Sequence, residues 1–224
     1  MSQLEMIPGT TRDLTLSQHF THPELAAKVV EWALQGQSRV AATALWRGQP
    51  LRVLEPSAGN GALVRPLVAA GAEVTAFELD ARYTKELAAL LDPEEVNGTA
   101  IVPADFLALA DALGGSSAAW RFDLCVMNPP YEDGKDVEFI LHALKFAPRV
   151  VGIFRADLWY GVERYDELWS QVRPTRILNL KRRWFKNPQT GKGGETNYVC
   201  LELVKRGVLD KASTRPDQVS MEWW

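Results

Sequence analysis

The chain has 224 residues, 46% hydrophobic and 24% charged, with a formal net charge of −3. That balance suits one α/β domain with a real core and excludes a disordered chain, while the charge alone argues neither for nor against nucleic acid. Apolar runs such as Leu67 to Ala72 and Val150 to Phe154 are too short for a membrane span, and the charged N-terminus has no stretch of signal-peptide length.

In chain order, residues 1–17 read as an extension and residues 18–205 as the folded domain. Thr21-His22-Pro23-Glu24 is a capping box with proline in the first turn. Leu25, Ala26, Val29, Val30 and Ala33 then recur at helical spacing. Leu51 to Leu54 is a short strand ending at Glu55-Pro56. The turn Ser57-Ala58-Gly59-Asn60-Gly61 opens a helix through Ala70. Glu73 to Phe77 is a second strand, ending at Glu78-Leu79-Asp80, and a helix follows from Ala81 to Leu91. A third strand, Ala100 to Val102, ends near Asp105-Phe106. Phe122 to Met127 is the fourth, and it stops abruptly at Asn128-Pro129-Pro130-Tyr131. A helix from Val137 to Phe146 and a strand from Val150 to Phe154 come next. Ile177 to Leu180 and Tyr198 to Leu203 form a late strand pair, and residues 206–224 read as a tail or an added strand.

Strands alternating with helices at about 25-residue intervals mean βαβ units and a mostly parallel sheet, with helices on both faces and an antiparallel hairpin at one edge. Cys125 and Cys200 lie in strand-like apolar runs and read as buried thiols, so a reduced, cytoplasmic protein is expected. His19, His22 and His142 show no metal spacing, and surface or packing roles are expected for them. The loop of the late hairpin carries Lys181, Arg182, Arg183, Lys186 and Lys192 with Trp184 and Phe185 among them. A run of that kind is either a solvated face or a surface for phosphates and unstacked bases.

In open α/β sheets, ligands bind beyond the carboxyl ends of the strands. Glu55, Gly59, Gly61, Glu78, Asp105 and Asn128 all fall there. The glycine turn lacks the third glycine of a dinucleotide fingerprint, where Val64 stands, and no Lys-Ser/Thr follows to make a phosphate loop. What remains is a nucleoside held by carboxylates. Glu78 can take both ribose hydroxyls, Asp105 an exocyclic amine and Glu55 a cationic group. The helix start at Thr21 can take a carboxylate. S-adenosylmethionine is the common cofactor of that description, and no metal is expected.

The segments HFTHPELAAKVV (19–30), LEPSAGNGAL (54–63), FELD (77–80), ADF (104–106) and NPPY (128–131) occur in the order of the gamma-type N6-adenine DNA methyltransferases. The chain resembles that family over residues 18 to 204. The resemblance implies a Rossmann-like class I methyltransferase fold with a seven-stranded sheet. It implies Thr21, Glu55, Ser57, Gly59, Gly61, Glu78, Asp105 and Phe106 as cofactor contacts, with Asn128 on both sides of the reaction. Asn128, Pro129, Pro130 and Tyr131 become the catalytic loop. Phe185, with Trp184 close behind, becomes the base-stacking aromatic, and Lys181, Arg182, Arg183 and Lys186 the contacts to DNA.

The chemistry accounts for such a loop. An exocyclic adenine amine is a poor nucleophile because its lone pair is delocalised into the ring. The Asn128 side-chain oxygen and the Pro129 carbonyl can each accept one of its N–H bonds and pull the nitrogen towards tetrahedral geometry. Two prolines keep that backbone ordered before substrate arrives, and Tyr131 is expected to offer a flat face to the base. With no separate target-recognition domain expected, recognition must come from loops, chiefly residues 181–196 and also Glu132 to Asp136, or from a homodimer partner or an accessory subunit. Adenine in RNA, cytosine N4, a protein glutamine amide, or a silent nucleic-acid-binding subunit of the same fold are the competing readings.

Overall fold

Strands buried on both faces by flanking helices read as unbroken apolar runs, and Leu124–Met127 is such a run, buried at every position. The computed structural model describes residues 12–13, 18–19, 21–35, 48–90, 98–109, 121–160, 162–181, 197–206 and 220–223. A two-residue pair, β1 (Arg12–Asp13) and β2 (Gln18–His19), precedes helix α1 (Pro23–Gln35). Then come β3 (Arg52–Glu55), α2 (Val64–Ala69), β4 (Glu73–Phe77), α3 (Ala81–Leu90) and β5 (Ala100–Val102). They are followed by β6 (Leu124–Met127), α4 (Lys135–Ala143), β7 (Arg149–Arg155), β8 (Val172–Asn179), β9 (Tyr198–Lys205) and β10 (Ser220–Trp223). Among the described residues no helix is long and apolar enough to cross a membrane.

The strands form one sheet in the order β10-β8-β9-β7-β6-β3-β4-β5. Neighbours from β7 to β5 are parallel, and β9 runs antiparallel to both β7 and β8. This is the expected seven-stranded sheet, extended by β10, which pairs in parallel with the outer side of β8. The late strands are longer than apolarity suggested because β8 reaches back to Val172 through an irregularity between Pro174 and Arg176. The helix after the glycine turn is shorter than expected, since the backbone stays in turns until Val64.

Alternation divides the core. Val53, Leu124 and Val126 pack with α1, α2 and Leu87 of α3 on one face. Leu54, Cys125 and Met127 pack with α4 on the other. Both cysteines are buried free thiols, as expected.

One charge lies deep in this sheet. Glu202 of β9 is 1% exposed. Its carboxylate accepts from Arg149 of β7 at 2.8 Å, from Arg176 of β8 at 3.3 Å and from the Thr175 hydroxyl at 2.8 Å. Arg176 also donates to the Trp32 carbonyl at 3.0 Å and covers the Trp32 ring at 4.1 Å. A single carboxylate thereby joins three strands to α1. Removing one partner of a buried pair leaves an uncompensated charge. Glu202→Ala should therefore lose about 3 kcal/mol or more in urea unfolding at neutral pH. A loss within about 0.5 kcal/mol would count the cluster as ordinary surface polarity.

Candidate active site at the carboxyl edge of the sheet

The parallel strands end together, and their exits line one cleft. Thr21, Glu55 to Asn60, Ala62, Leu63, Glu78, Leu79, Ala104 to Leu107, Asn128 to Pro130, Lys135 and Phe139 surround it. Glu55, Glu78, Asp105 and Asn128 come from the ends of β3, β4, β5 and β6. Thr21, Glu55, Ser57, Gly59, Glu78, Asp105, Phe106 and Asn128 thus share one cavity, while Gly61 is not among its lining residues.

At the floor, Glu55 is 1% exposed. Its Oε1 accepts from the Ser57 N–H at 3.0 Å and lies 3.2 Å from the Ser57 hydroxyl, while Oε2 is buried without a hydrogen-bond partner. Burial pushes this carboxyl up from 4.5 to about 8; the Ser57 bonds oppose the rise and Glu78 adds to it. Its Oε2 is therefore a buried polar atom that no described group satisfies, at a position where a ligand donor could reach it.

Glu78 is buried too, and it organises the backbone. It accepts the Gly59 and Asp80 N–H groups, each at 2.7 Å. A carboxylate has about four acceptor positions, so ribose hydroxyls still have room. The turn comes this close because Gly59 and Gly61 adopt φ of 52° and 78°. A Cβ on Gly61 would also stand 2.2 Å from the Leu87 side chain of α3.

Thr21 stands at the opposite wall. It was expected to cap α1, and here the structure corrects the sequence reading. The helix begins at Pro23, and His22 Nδ1 accepts the Glu24 N–H at 3.3 Å. His22 is thus the capping residue, and the Thr21 hydroxyl accepts instead from Asn128 Nδ2 at 2.9 Å. The Asn128 side-chain oxygen accepts from the Tyr131 hydroxyl, which also lies 3.1 Å from the Ile153 carbonyl. The Tyr131 ring, 8% exposed, packs 5.7 Å from Tyr198. The face expected to meet a base is turned inward, its phenol reaching Asn128 and the Ile153 carbonyl on that side. Tyr131 here orients the Asn128 amide. Tyr198, at the start of β9, packs partly buried against the core.

Asp105 is exposed, and its Oδ1 accepts the Leu107 N–H at 2.9 Å, starting a single 3₁₀ turn. Phe106 touches the cleft but is chiefly core, packed against Phe77, Phe139, His142 and Phe146 at 4.8 to 5.9 Å. His142 therefore has the expected packing role. Leu79, 66% exposed, joins Leu107, Pro130 and Phe139 among the apolar lining residues. Sequence reasoning missed this apolar share, although an apolar residue between Glu78 and Asp80 at a strand tip was a signal for it. Among the described residues Lys135 is the one basic residue lining the cleft. Lys181 is exposed, and Arg182, Arg183, Trp184, Phe185 and Lys186 lie outside the described residues. Among the described residues no cluster could hold a metal ion.

The Glu55 shift has a stability consequence. Between pH 4.5 and about 8 the unfolded chain sheds this proton first, so stability is full below 4.5 and falls as pH rises through that window. Glu55→Gln should flatten that decline in thermal melts of the unliganded protein and should melt above the parent at pH 8. Parallel pH profiles for the two proteins would mean that Glu55 ionises freely.

No known family profile matches the chain. A ribosomal RNA small subunit methyltransferase of Arabidopsis thaliana is 28% identical over 149 residues, covering 61% of this chain and 40% of that protein. The chain thus spans less than half the length of that relative. Among solved structures, a protein of Pyrococcus horikoshii named as a candidate RNA methyltransferase matches with a TM-score of 0.61 at 22% identity, covering 90% of this chain and 94% of that one. A candidate class I S-adenosylmethionine-dependent methyltransferase of Listeria monocytogenes matches with a TM-score of 0.62 at 11% identity, covering 95% and 67%. Strand order, cleft position and these likenesses agree: the chain has the Rossmann-like fold of the class I methyltransferases.

Proposed function

We propose that this protein transfers a methyl group from S-adenosylmethionine to the exocyclic N6 amine of adenine in a nucleic acid. The observation that carries the reading is the Glu55 carboxyl, buried and without an ion pair among the described residues, in one cleft with the Asn128-Pro129 backbone. When bound, the cofactor supplies an electrophilic methyl on a sulfonium. Glu55 would hold its ammonium, Glu78 its ribose hydroxyls and Asp105 its adenine amine, with Leu79, Leu107, Pro130 and Phe139 against the purine. Thr21 would stand by its carboxylate.

The remaining chemistry belongs to the loop. Asn128 Oδ1 takes one bond from Tyr131, and an amide oxygen, with two acceptor positions, would take one N–H of the substrate amine. The Pro129 carbonyl takes the other N–H. Both stabilise the charge that develops on nitrogen, so catalysis is positioning and electrostatics, not proton transfer by a shifted side chain. The base must be single-stranded or flipped out of its duplex to arrive there.

The motif order supports DNA as the substrate. A second reading, RNA, is favoured by the Arabidopsis and Pyrococcus proteins, both named as RNA methyltransferases. Tritiated methyl transfer to DNA, RNA and protein in parallel, followed by nucleoside mass spectrometry, should yield N6-methyladenine from one nucleic acid. Label found only in protein would overturn the proposal. Asn128→Ala should cut transfer by about 100-fold or more while S-adenosylhomocysteine still binds with nearly unchanged affinity. Joint loss of binding and transfer would make Asn128 a structural residue.

A further inference from the structure

Ser57 stands between the two halves of the cleft. Its hydroxyl lies 3.2 Å from Glu55 Oε1 and 3.2 Å from the Asn128 carbonyl oxygen. A hydroxyl has one proton to donate, so these two acceptors compete for it. The ionisation of Glu55 decides the competition. A neutral carboxyl is a weaker acceptor than a peptide carbonyl. A carboxylate is a stronger one, since charge-assisted bonds are roughly twice as strong as neutral ones.

The surroundings of Glu55 keep it protonated in the free protein. Burial contributes most, and Glu78 at the end of β4 adds to it. Cys125 of β6 also feels the Glu55 charge. Of the other titratable residues lining the cleft, Asp105 and Lys135 are exposed at its rim. His22, beside Thr21 at the head of α1, accepts the Glu24 N–H through Nδ1. With Glu55 neutral, the Ser57 proton goes to Asn128.

A ligand ammonium set against the orphaned Oε2 reverses this. The Glu55 proton leaves to solvent, the carboxylate pairs with the ammonium, and the Ser57 hydroxyl turns to Oε1. The Asn128 carbonyl then loses a donor. We propose that Ser57 is a positioning residue that reports occupancy of the Glu55 end of the cleft to the Asn128-Pro129 peptide, by moving its single hydroxyl proton from the Asn128 carbonyl to Glu55. The inference rests on reading the cleft as an S-adenosylmethionine site. It adds an order of events: the peptide one step before the Pro129 carbonyl is held by Ser57 in the empty protein. Once the cofactor end is filled, the Asn128 carbonyl has given up that bond.

The Asn128 carbonyl ¹³C resonance reads this directly, because carbonyl shifts move upfield when a hydrogen-bond donor is lost. In the wild type, saturation with S-adenosylhomocysteine, which carries the same ammonium, should move that resonance upfield. In Ser57→Ala it should already lie upfield and stay there, and Ser57→Thr should restore the ligand response. Glu55→Gln, which cannot ionise, should hold the resonance at its free-protein position. Ser57→Ala should weaken ligand binding by no more than about tenfold, the worth of one neutral hydrogen bond. Calorimetry in buffers of differing ionisation heat should show proton release on binding at pH 7 that disappears well above the Glu55 value of about 8. Equal carbonyl movement in wild type and Ser57→Ala, or none in the saturated wild type, overturns the proposal and leaves the cofactor reading standing. Failure of S-adenosylhomocysteine to bind the wild type removes both.

Discussion

Five neighbouring strands, from β7 to β5, point their carboxyl ends to the same edge. Every polar feature of the cleft depends on that constraint. Glu55, Glu78, Asp105 and Asn128 are far apart in the chain and share one space because each ends a parallel strand or lies just beyond its end. The same arrangement explains why a carboxyl can be buried there at all. The sheet places Glu55 in the interior, and two Ser57 contacts and the fold's remaining stability offset the cost of keeping it. The cleft is therefore chemically biased before any ligand arrives. Its floor is acidic, part of its lining is apolar, and Lys135, a basic lining residue, sits at the rim.

Much of this was legible in the chain, for a physical reason. Strands such as Val53-Leu54 and Leu124–Met127 are apolar on both faces, and only a sheet covered on both sides explains such a run. Residues at the ends of those runs then had to face the ligand edge. Gly59 and Gly61 were legible as a close-approach turn, and the left-handed backbone at both bears this out. Illegible features turned on which of two neighbours faces inward. Thr21 and His22 both suit a helix start, and only the three-dimensional position of Asn128 decides that histidine caps. Tyr131 could face outward or inward by its sequence, and the acceptors on Asn128 and Ile153 settle it. Phe106 reads as a ligand contact from its motif, yet four aromatic neighbours make it mostly core.

The buried charge cluster plays a different part from the cleft acids. Glu202 is balanced by two arginines, whereas among the described residues Glu55 makes no ion pair. The first arrangement fixes α1 against the β8–β9 pair through Arg176 and Trp32. Two carboxyl groups of equal burial therefore differ in kind: one is paired with arginines in the sheet, and burial pushes the other towards its neutral form at the cleft.

The short strand Ser220–Trp223 bears on how copies of this protein behave towards each other. β8 is eight residues long, and a free edge of that length is a template on which another chain can pair. β10 covers its Arg176 to Asn179 portion. Among the described residues the sheet ends in a four-residue strand on one side and the three-residue β5 on the other. Edges so short offer little ladder to a neighbour. The last strand of the chain thus shortens the open ladder at the end of the sheet opposite β5, away from the strand ends that line the cleft.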